Sequence, residues 1–568
     1  MSVEVPVVIE QSGICRVYVS SELGDRISCL TKTRKGYFTT FWLNIPILKK
    51  HFLPTFSDGS IKSLNKLRAH RKNVIESKDI CADGVSELFT PEKKPRDFQL
   101  KAVNFILEQK SVLLSDEMGL GKTISTIGAF LKSFKDEKVD ALLVICPTSV
   151  KHQWKNEIID CNDYLPDIAK QITMIEGTPV DRRHLYNERN TVTIMHYPLL
   201  LRDSEHINEL LLGRKTMVVA DECSGDGAIK NPSSKTSINF KKVFKDAEYR
   251  LALTATPIEN RLSDLYSVMS WVDPHPFGKK AWFEGRFCKI LQLRVKKRRK
   301  NGSVYNVLVP KIIGHKNLKE AESRICERYI RRTAMEVKEE MPKVSSITYF
   351  IDLTKEARSL YDTIANNIKG ETSLFNKIIP LRRCCAAPCL VGGTGDDSGK
   401  IEELIRLLET ELDGESVVIS TAWKTDWIGI LRNKLKRWKP LVITGDTDNM
   451  AREAIRKRFM DGESNILLMT SVGTYGLNLQ KASAVIILDL DWNPAKLLQR
   501  VGRIVRMGSP HDKVRIISIL AKDTIEERMV DILSAKQNLF EAIFTEEGLM
   551  EATNMMSSLS DSKIRKLI

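Results

Sequence analysis

Ser111-Val112-Leu113-Leu114-Ser115-Asp116-Glu117-Met118-Gly119-Leu120-Gly121-Lys122-Thr123 reads as a short apolar strand running into a glycine-bearing turn that opens a helix. Ile124, Ile127, Phe130 and Leu131 continue it at helical spacing. A phosphate must approach backbone N–H groups closely, and side chains at Gly119 and Gly121 would block that approach. Lys122 is placed to reach β- and γ-phosphates, and the Thr123 hydroxyl to ligate Mg²⁺. The strict phosphate-loop pattern has Gly where Asp116 stands, which is one departure.

Outward from this stretch, apolar strand-like runs alternate with helical ones to about residue 275. They are Ser111 to Ser115, Ala141 to Cys146, Thr191 to Met195, Met217 to Ala220 and Leu251 to Thr254. Short, continuously apolar strands in such alternation imply a parallel sheet covered by helices. A second block repeats the pattern at Ser416 to Ser420, Leu441 to Thr444, Ile466 to Met469, Ala484 to Leu488 and Val514 to Ile519. Between the blocks a mainly helical, charge-rich region is expected, holding the run Lys296-Lys297-Arg298-Arg299-Lys300. That run suits a phosphate grip, a nuclear import signal or a solvated loop. At the N-terminus, β-rich runs (Ile14 to Val19, Arg26 to Thr31, Tyr37 to Leu43) precede a basic helical segment, Ile61 to Lys72, suggesting a small α+β accessory domain. Pro91-Glu92-Lys93-Lys94-Pro95 reads as a linker that disfavours any regular element. The expected division is 1–88 accessory, 89–275 first lobe, 276–395 helical basic insertion, 396–535 second lobe and 536–568 helical tail.

Composition narrows the class. Charged residues are 28% and hydrophobic ones 42% of the 568, as in soluble globular proteins. Apolar runs stay far short of a membrane span, and Met1-Ser2-Val3-Glu4 does not begin a signal peptide, so a soluble intracellular protein without a membrane partner is expected. Nucleus, bacterial cytoplasm and viral setting are not separated by these features. The net charge of +16 fits a polyanionic partner, and equally a merely basic surface. Of the eleven cysteines only Cys384, Cys385 and Cys389 cluster, lacking the further ligand that a zinc site needs.

A phosphate loop requires acidic partners at the end of a later strand, and Met217-Val218-Val219-Ala220-Asp221-Glu222 supplies them. Asp221 would hold Mg²⁺ and Glu222 would orient or deprotonate the attacking water. Gln99, two residues after Asp97 and close to Arg96, can both donate to and accept from an adenine edge. Far downstream, Gln499-Arg500-Val501-Gly502-Arg503-Ile504-Val505-Arg506 is expected to set Arg503 and Arg506 on one helical face. Their planar, permanently charged forks suit a γ-phosphate in the transition state.

Together these segments make the chain resemble the Swi/Snf-type branch of helicase superfamily two, over roughly residues 91 to 535. The matching residues are Pro95 to Gln99, Asp116 to Thr123, Cys146-Pro147-Thr148-Ser149 with Trp154, Asp221-Glu222, and Leu253 to Asn260. They continue with Arg331-Arg332-Thr333, Leu381-Arg382 with Cys385 and Pro388, Gly473 with Gly476 to Leu479, Asp491-Trp492-Asn493-Pro494, and Gln499 to Gly508. The β-rich N-terminus with Phe41-Trp42 and Ile45-Pro46 is similar to the small DNA-structure domain of annealing helicases. Two departures stand out. Cys223-Ser224 replaces the family's Ala-His, followed by a longer Gly225 to Ala228 link, and Ser509 replaces a Gln.

The resemblance implies two RecA-like lobes and an ATP-driven, DNA-dependent motor using ATP and Mg²⁺. It adds Gln499 to the catalytic set of Lys122, Glu222, Arg503 and Arg506. The implied nucleotide contacts are Arg96, Gln99, Asp116, Glu117, Met118, Gly119, Leu120, Gly121, Lys122, Thr123 and Gly476, with Thr123 and Asp221 on the metal. Sequence-independent contacts to duplex or forked DNA fall to Thr148, Lys151, Thr254, Thr256, Thr470, Ser471 and Gly473. An RNA-directed helicase or polymerase-recycling factor, and a non-catalytic DNA-binding subunit, are the alternative readings.

Overall fold

The computed structural model describes residues 4–10, 12–21, 23, 27, 29–33, 37–225, 227–258, 262–298, 304–333, 336–337, 342–367, 375–423, 426–470, 477, 479–490, 500–506 and 509–530. The chain divides into two compact units, 1–116 with 122–331, and 117–121 with 332–568.

The first unit begins with a five-stranded sheet of β1 (Glu4–Ile9), β2 (Ile14–Val17), β3 (Thr31–Lys32), β4 (Phe38–Phe41) and β5 (Leu53–Phe56), in the order β3-β4-β2-β1-β5. Alternate residues of β1 are buried, the pattern of a half-buried sheet. Helix Asp58–Ser77, expected from the basic segment, follows, capped by Ser57 accepting from Ser60 N. This small domain is fastened to the rest of the unit. The buried Arg324 donates to Asn44 Oδ1 (2.8 Å), to the Pro276 carbonyl (3.0 Å) and to Glu320 (3.0 Å). Phe41 stacks on His275, and Lys78 donates to the Tyr329 carbonyl at 2.8 Å.

The main sheet of this unit is parallel throughout: β6 (Ser111–Leu114), β7 (Ala141–Cys146), β8 (Ile172–Met174), β9 (Val192–His196), β10 (Thr216–Ala220), β11 (Tyr249–Leu253) and β14 (Tyr329–Ile330), ordered β14-β6-β11-β10-β7-β9-β8. Every residue of β6 and β7 is buried, so both faces are covered by helices and the strands read as unbroken apolar runs. Val74, Ala82, Val85, Leu88 and Phe89 pack into this core, so the expected boundary at residue 88 falls inside it. The proline-flanked segment expected to be irregular forms a 3₁₀ turn, Pro91–Lys93, with Pro at its start where no N–H is needed.

Residues 276–395 differ most from expectation. Beside the helices Lys280–Phe287, Leu318–Ile325, Lys355–Asn367 and Phe375–Ala386, a long antiparallel hairpin joins β12 (Cys288–Arg298) to β13 (Val304–His315), and β14 and β15 (Lys343–Ile351) are edge strands of the two large sheets. Val and Ile recur through both hairpin strands and favour extended backbone, and the charge between them masks the period of two. The segment thus supplies strands to sheets on either side of it in sequence.

The second unit carries β15, β16 (Val417–Thr421), β17 (Leu441–Ile443), β18 (Ile466–Thr470), β19 (Ala484–Ile487) and β20 (Lys513–Ala521), parallel in the order β15-β20-β19-β16-β18-β17. Two RecA-like α/β lobes are therefore present. Cys384 and Cys385 are buried within the second lobe's packing.

One half-buried amine bears on stability. Lys241, on helix Lys235–Val243, donates to Ser267 Oγ at 3.0 Å, and burial pushes its ammonium down to about 8. The unfolded chain holds that proton up to about pH 10.4. Stability therefore carries the full penalty below about pH 8 and regains it as pH rises toward 10.4. Lys241→Met is expected to stabilise the first unit by about 1–3 kcal/mol at pH 7 and to flatten this rise, measured as urea midpoints at pH 7 and pH 10.

Candidate nucleotide site

The loops after β6, β7, β10 and β11 all leave the carboxyl edge of the first sheet, where open parallel sheets bind ligands. After β6 the backbone turns through positive φ at Gly119 (+83°) and Gly121 (+73°), conformations that side chains disfavour. Lys122 opens helix Lys122–Lys135, and its Nζ donates to the Asp116 carbonyl at 2.7 Å. Asp116 is fully buried and is not among the positive-φ residues, so this position has no conformational need for glycine. Leu120 is buried, whereas Glu117, Met118, Gly119, Gly121 and Thr123 are half-buried.

The acidic pair follows β10. Asp221 accepts from Trp154 Nε1 at 2.8 Å and from the Glu222 N–H at 2.9 Å, while its carbonyl accepts from the Tyr197 hydroxyl at 2.7 Å. Burial, and then the charge of Glu222, push the Asp221 carboxyl up to about 6, against the opposing pull of Trp154 and Lys122. Glu222 has φ +46°, a strained value for a non-glycine residue. Its Oε2 is buried and has no hydrogen-bond partner among the described residues. A buried acceptor left unsatisfied costs about 1–3 kcal/mol, so strain and desolvation are both concentrated on this carboxylate.

The residues fit a Mg²⁺–nucleotide. Thr123 and Asp221 offer hard oxygen donors, and Mg²⁺ in such sites takes one or two protein ligands beside phosphate oxygens and water. Among the described residues no three His, Cys, Asp or Glu form a metal cage, which that mode of binding does not require.

Beyond the pair, the departure at Cys223-Ser224 has a visible consequence. Ser224 Oγ and Thr254 Oγ1 lie 2.5 Å apart, both fully buried, and Thr254 Oγ1 also accepts from the Thr256 N–H at 3.1 Å. The Cys223 N–H donates to the Leu253 carbonyl at 3.1 Å. The acidic segment and the Thr254-Ala255-Thr256 segment are thus tied through Ser224. Sequence reasoning misses this link, because only the parallel pairing of β10 with β11 brings residues thirty apart together. Ser224→Ala is expected to cost about 1–3 kcal/mol by leaving the Thr254 hydroxyl without this partner, read as a lowered urea midpoint.

Other expected contacts are placed differently. Gln99 is buried, and its Oε1 accepts from the Arg96 N–H at 3.0 Å, so the side chain caps helix Asp97–Gln109. Lys151, expected on the nucleic-acid track, is only 3% exposed and paired with Glu176. Thr148 is exposed, whereas Thr254, Thr256 and Thr470 are buried.

In the second unit, Arg500 and Val501 end a helix and the chain turns at 502–504. Arg503 N bonds to the Arg500 carbonyl (3.2 Å) and Ile504 N to the Val501 carbonyl (3.0 Å), three-residue closures, while Val505 N reaches back four residues to the Val501 carbonyl (2.9 Å), all around the weak helix former Gly502. Arg503 and Arg506 therefore do not share a helical face as expected. Arg503 is buried, and Arg506 Nε donates to the Gly502 carbonyl at 2.9 Å. The segment after β19 is held by a buried polar network that sequence patterns do not reveal. Asp489 accepts from Thr421 and from Ala422 N, Arg382 donates to the Leu490 carbonyl, and Lys400 pairs with Glu526 at 2.7 Å while donating to the Leu488 carbonyl. Gln499, Gly476, Ser471, Gly473 and Asp491 to Pro494 lie outside the described residues, as does the expected 536–568 tail.

A glycine-bearing turn after β6 and an acidic pair after β10, two strands away in the same sheet, make the first lobe the candidate nucleoside-triphosphate-binding lobe, and a second parallel α/β lobe follows it. A family model for the SNF2-related domain matches residues 98–390, and one for the helicase conserved C-terminal domain matches residues 399–508. The chain belongs to the SNF2-related family of helicase-like ATPases. It is 28% identical over 491 residues to an uncharacterized ATP-dependent helicase of Mycoplasma pneumoniae, covering 83% of this chain and 44% of that protein. It is 27% identical to the mouse SWI/SNF-related matrix-associated actin-dependent regulator of chromatin subfamily A member 1, covering 80% of this chain and 44% of that one. The chain thus spans under half the length of these relatives. A solved structure, the Sulfolobus solfataricus SWI2/SNF2 ATPase core in complex with dsDNA, is 26% identical with a TM-score of 0.38, covering 83% of this chain and 96% of that chain. No helix among the described residues is long and apolar enough to cross a membrane.

Proposed function

We propose that this chain is a DNA-dependent ATPase that hydrolyses ATP to move along or remodel duplex or forked DNA without reading its sequence. The observation that carries the hydrolytic part is the buried Glu222 Oε2 beside Asp221, unpartnered among the described residues, on the lobe that presents the phosphate loop. Lys122 and the N–H groups of the glycine turn bind the phosphates, Thr123 and Asp221 hold Mg²⁺, and Glu222 orients the attacking water and accepts its proton. Mg²⁺, when bound, offsets the charge building on the γ-phosphate oxygens. Arg503 and Arg506 are assigned to the same phosphate in the transition state. Of the first-lobe residues expected on the nucleic acid, Thr148 is the exposed one, and it is assigned to a strand backbone.

The duplex as track is supported by family membership and by the charge of +16. ATP turnover measured without nucleic acid and with single-stranded DNA, duplex, fork or RNA tests it. At least tenfold stimulation by duplex or fork is expected. Preference for RNA indicates an RNA-directed enzyme, and no turnover under any condition indicates a binding subunit; either result overturns the proposal.

A further inference from the structure

Trp154 donates from its indole Nε1 to Asp221 Oδ2 at 2.8 Å, while the Glu222 N–H holds Oδ1 at 2.9 Å. Each oxygen of the carboxylate thus receives a fixed donor, and the two together set the plane of the group. A carboxylate has about four acceptor directions, so both oxygens keep capacity toward a metal and its water. Trp154 is only 2% exposed, and with Ile158 and Cys161 it forms the core-facing stripe of helix Lys151–Cys161 at i, i+4 and i+7. Its ring belongs to the core of the first lobe, and its N–H reaches the residue that follows β10, the strand paired beside β7. A buried indole needs an acceptor, and a backbone carbonyl suffices for it. Trp271, equally buried in the same lobe, donates to the Phe244 carbonyl at 3.2 Å. Trp154 instead takes a carboxylate, and that shorter, charge-assisted bond orients the acceptor as well as satisfying the donor.

We propose that Trp154 is a positioning residue: it aims Asp221 for Mg²⁺, and through its helix it makes the hold on the metal respond to DNA at Thr148. The helix that carries Trp154 follows directly on the 3₁₀ turn Thr148–Val150, where Thr148 is exposed. One element therefore starts beside the assigned strand contact and, a helical turn later, touches the assigned metal ligand. Bonds from N–H to oxygen run from about 2.7 to 3.2 Å. A shift of the helix by about half an ångström takes this one to the end of that range. Donors behind a ligating carboxylate typically contribute about 10–100-fold to metal affinity. A shift at the track is thus felt as a change in how firmly Asp221 is held. This inference rests on the metal and DNA assignments made above.

The test measures the Mg²⁺ concentration at which a fluorescent ATP analogue is half bound, with and without duplex DNA, alongside thermal melting. It compares the wild-type chain, Trp154→Phe, and a chain with benzothienylalanine in place of Trp154. The benzothienyl ring keeps the size of the indole and puts sulfur where the N–H stands, so it removes the donor without opening a cavity. Trp271→Phe, which removes a buried indole N–H elsewhere in the lobe, is the control. Both replacements of Trp154 are expected to raise the half-saturating Mg²⁺ at least tenfold, and Trp271→Phe to leave it within twofold. Duplex is expected to lower the wild-type value at least fivefold, a usual size for coupling between two sites, and to leave the benzothienyl chain unmoved. A benzothienyl chain with wild-type Mg²⁺ dependence overturns the positioning role, as does a control that shifts as far as Trp154→Phe. A raised Mg²⁺ requirement with the duplex effect intact overturns the coupling through the helix. Failure of the underlying assignments reads differently: Asp221→Asn with wild-type Mg²⁺ dependence overturns the metal site, and a wild-type chain that binds no duplex overturns the DNA reading.

Discussion

Glu222→Gln is expected to lower ATP turnover by about 10²–10⁴-fold, the range a positioned general base contributes, while leaving ATP binding in place. The carboxylate stands at a backbone angle that costs energy, with one oxygen buried and unpartnered among the described residues. A purely structural carboxylate at that depth would be hydrogen-bonded. Gln keeps the size and removes the basicity, so relief of desolvation should raise or maintain stability while turnover collapses. Steady-state ATPase with duplex, alongside binding of a fluorescent ATP analogue and thermal melting, measures all three. Turnover within tenfold of wild type would remove Glu222 from the chemistry.

Arg503→Ala is expected to reduce turnover by about 10³-fold, the lower end of what a transition-state arginine supplies. Lys at this position is expected to restore little, because a point charge does not reproduce the planar fork. Burial of Arg503 makes a structural contribution unavoidable, so the readout that separates the two roles is kcat against melting temperature. A structural arginine would lower both in Arg503→Ala. A transition-state arginine lowers kcat in Arg503→Lys even where melting is unchanged. Arg506→Ala, whose Nε donates to the Gly502 carbonyl, is the matched comparison on the same turn.

Much of this protein is legible in order along the chain. Strands buried on both faces advertise themselves, as Ala141–Cys146 and Ala484–Ile487 do, because each residue must be apolar whichever way it points. Strands with an exposed face do not. Lys343–Ile351 is a sheet edge with polar and exposed residues throughout, and the described side chains of the hairpin strands between Cys288 and His315 are exposed or half-buried, so both pass for helical, charge-rich sequence. The arginine segment misleads for a different reason. Its residues have adequate helix propensity apart from Gly502, and the chain leaves the helix there through mixed closures of three and four residues.

By itself the sequence determined the local form of the candidate nucleotide site, since a phosphate loop is a local object: glycine torsions, a helix start and a lysine lie within a few residues of one another, and the acidic pair follows its own strand. Only the tertiary structure decided which of those groups are strained, buried or tied together. Trp154 on Asp221, Ser224 on Thr254 and Lys151 turned onto Glu176 each join residues between 25 and 67 positions apart. Such contacts depend on which parallel strands lie side by side, and strand order is set by burial of the whole sheet, not by any residue near the site.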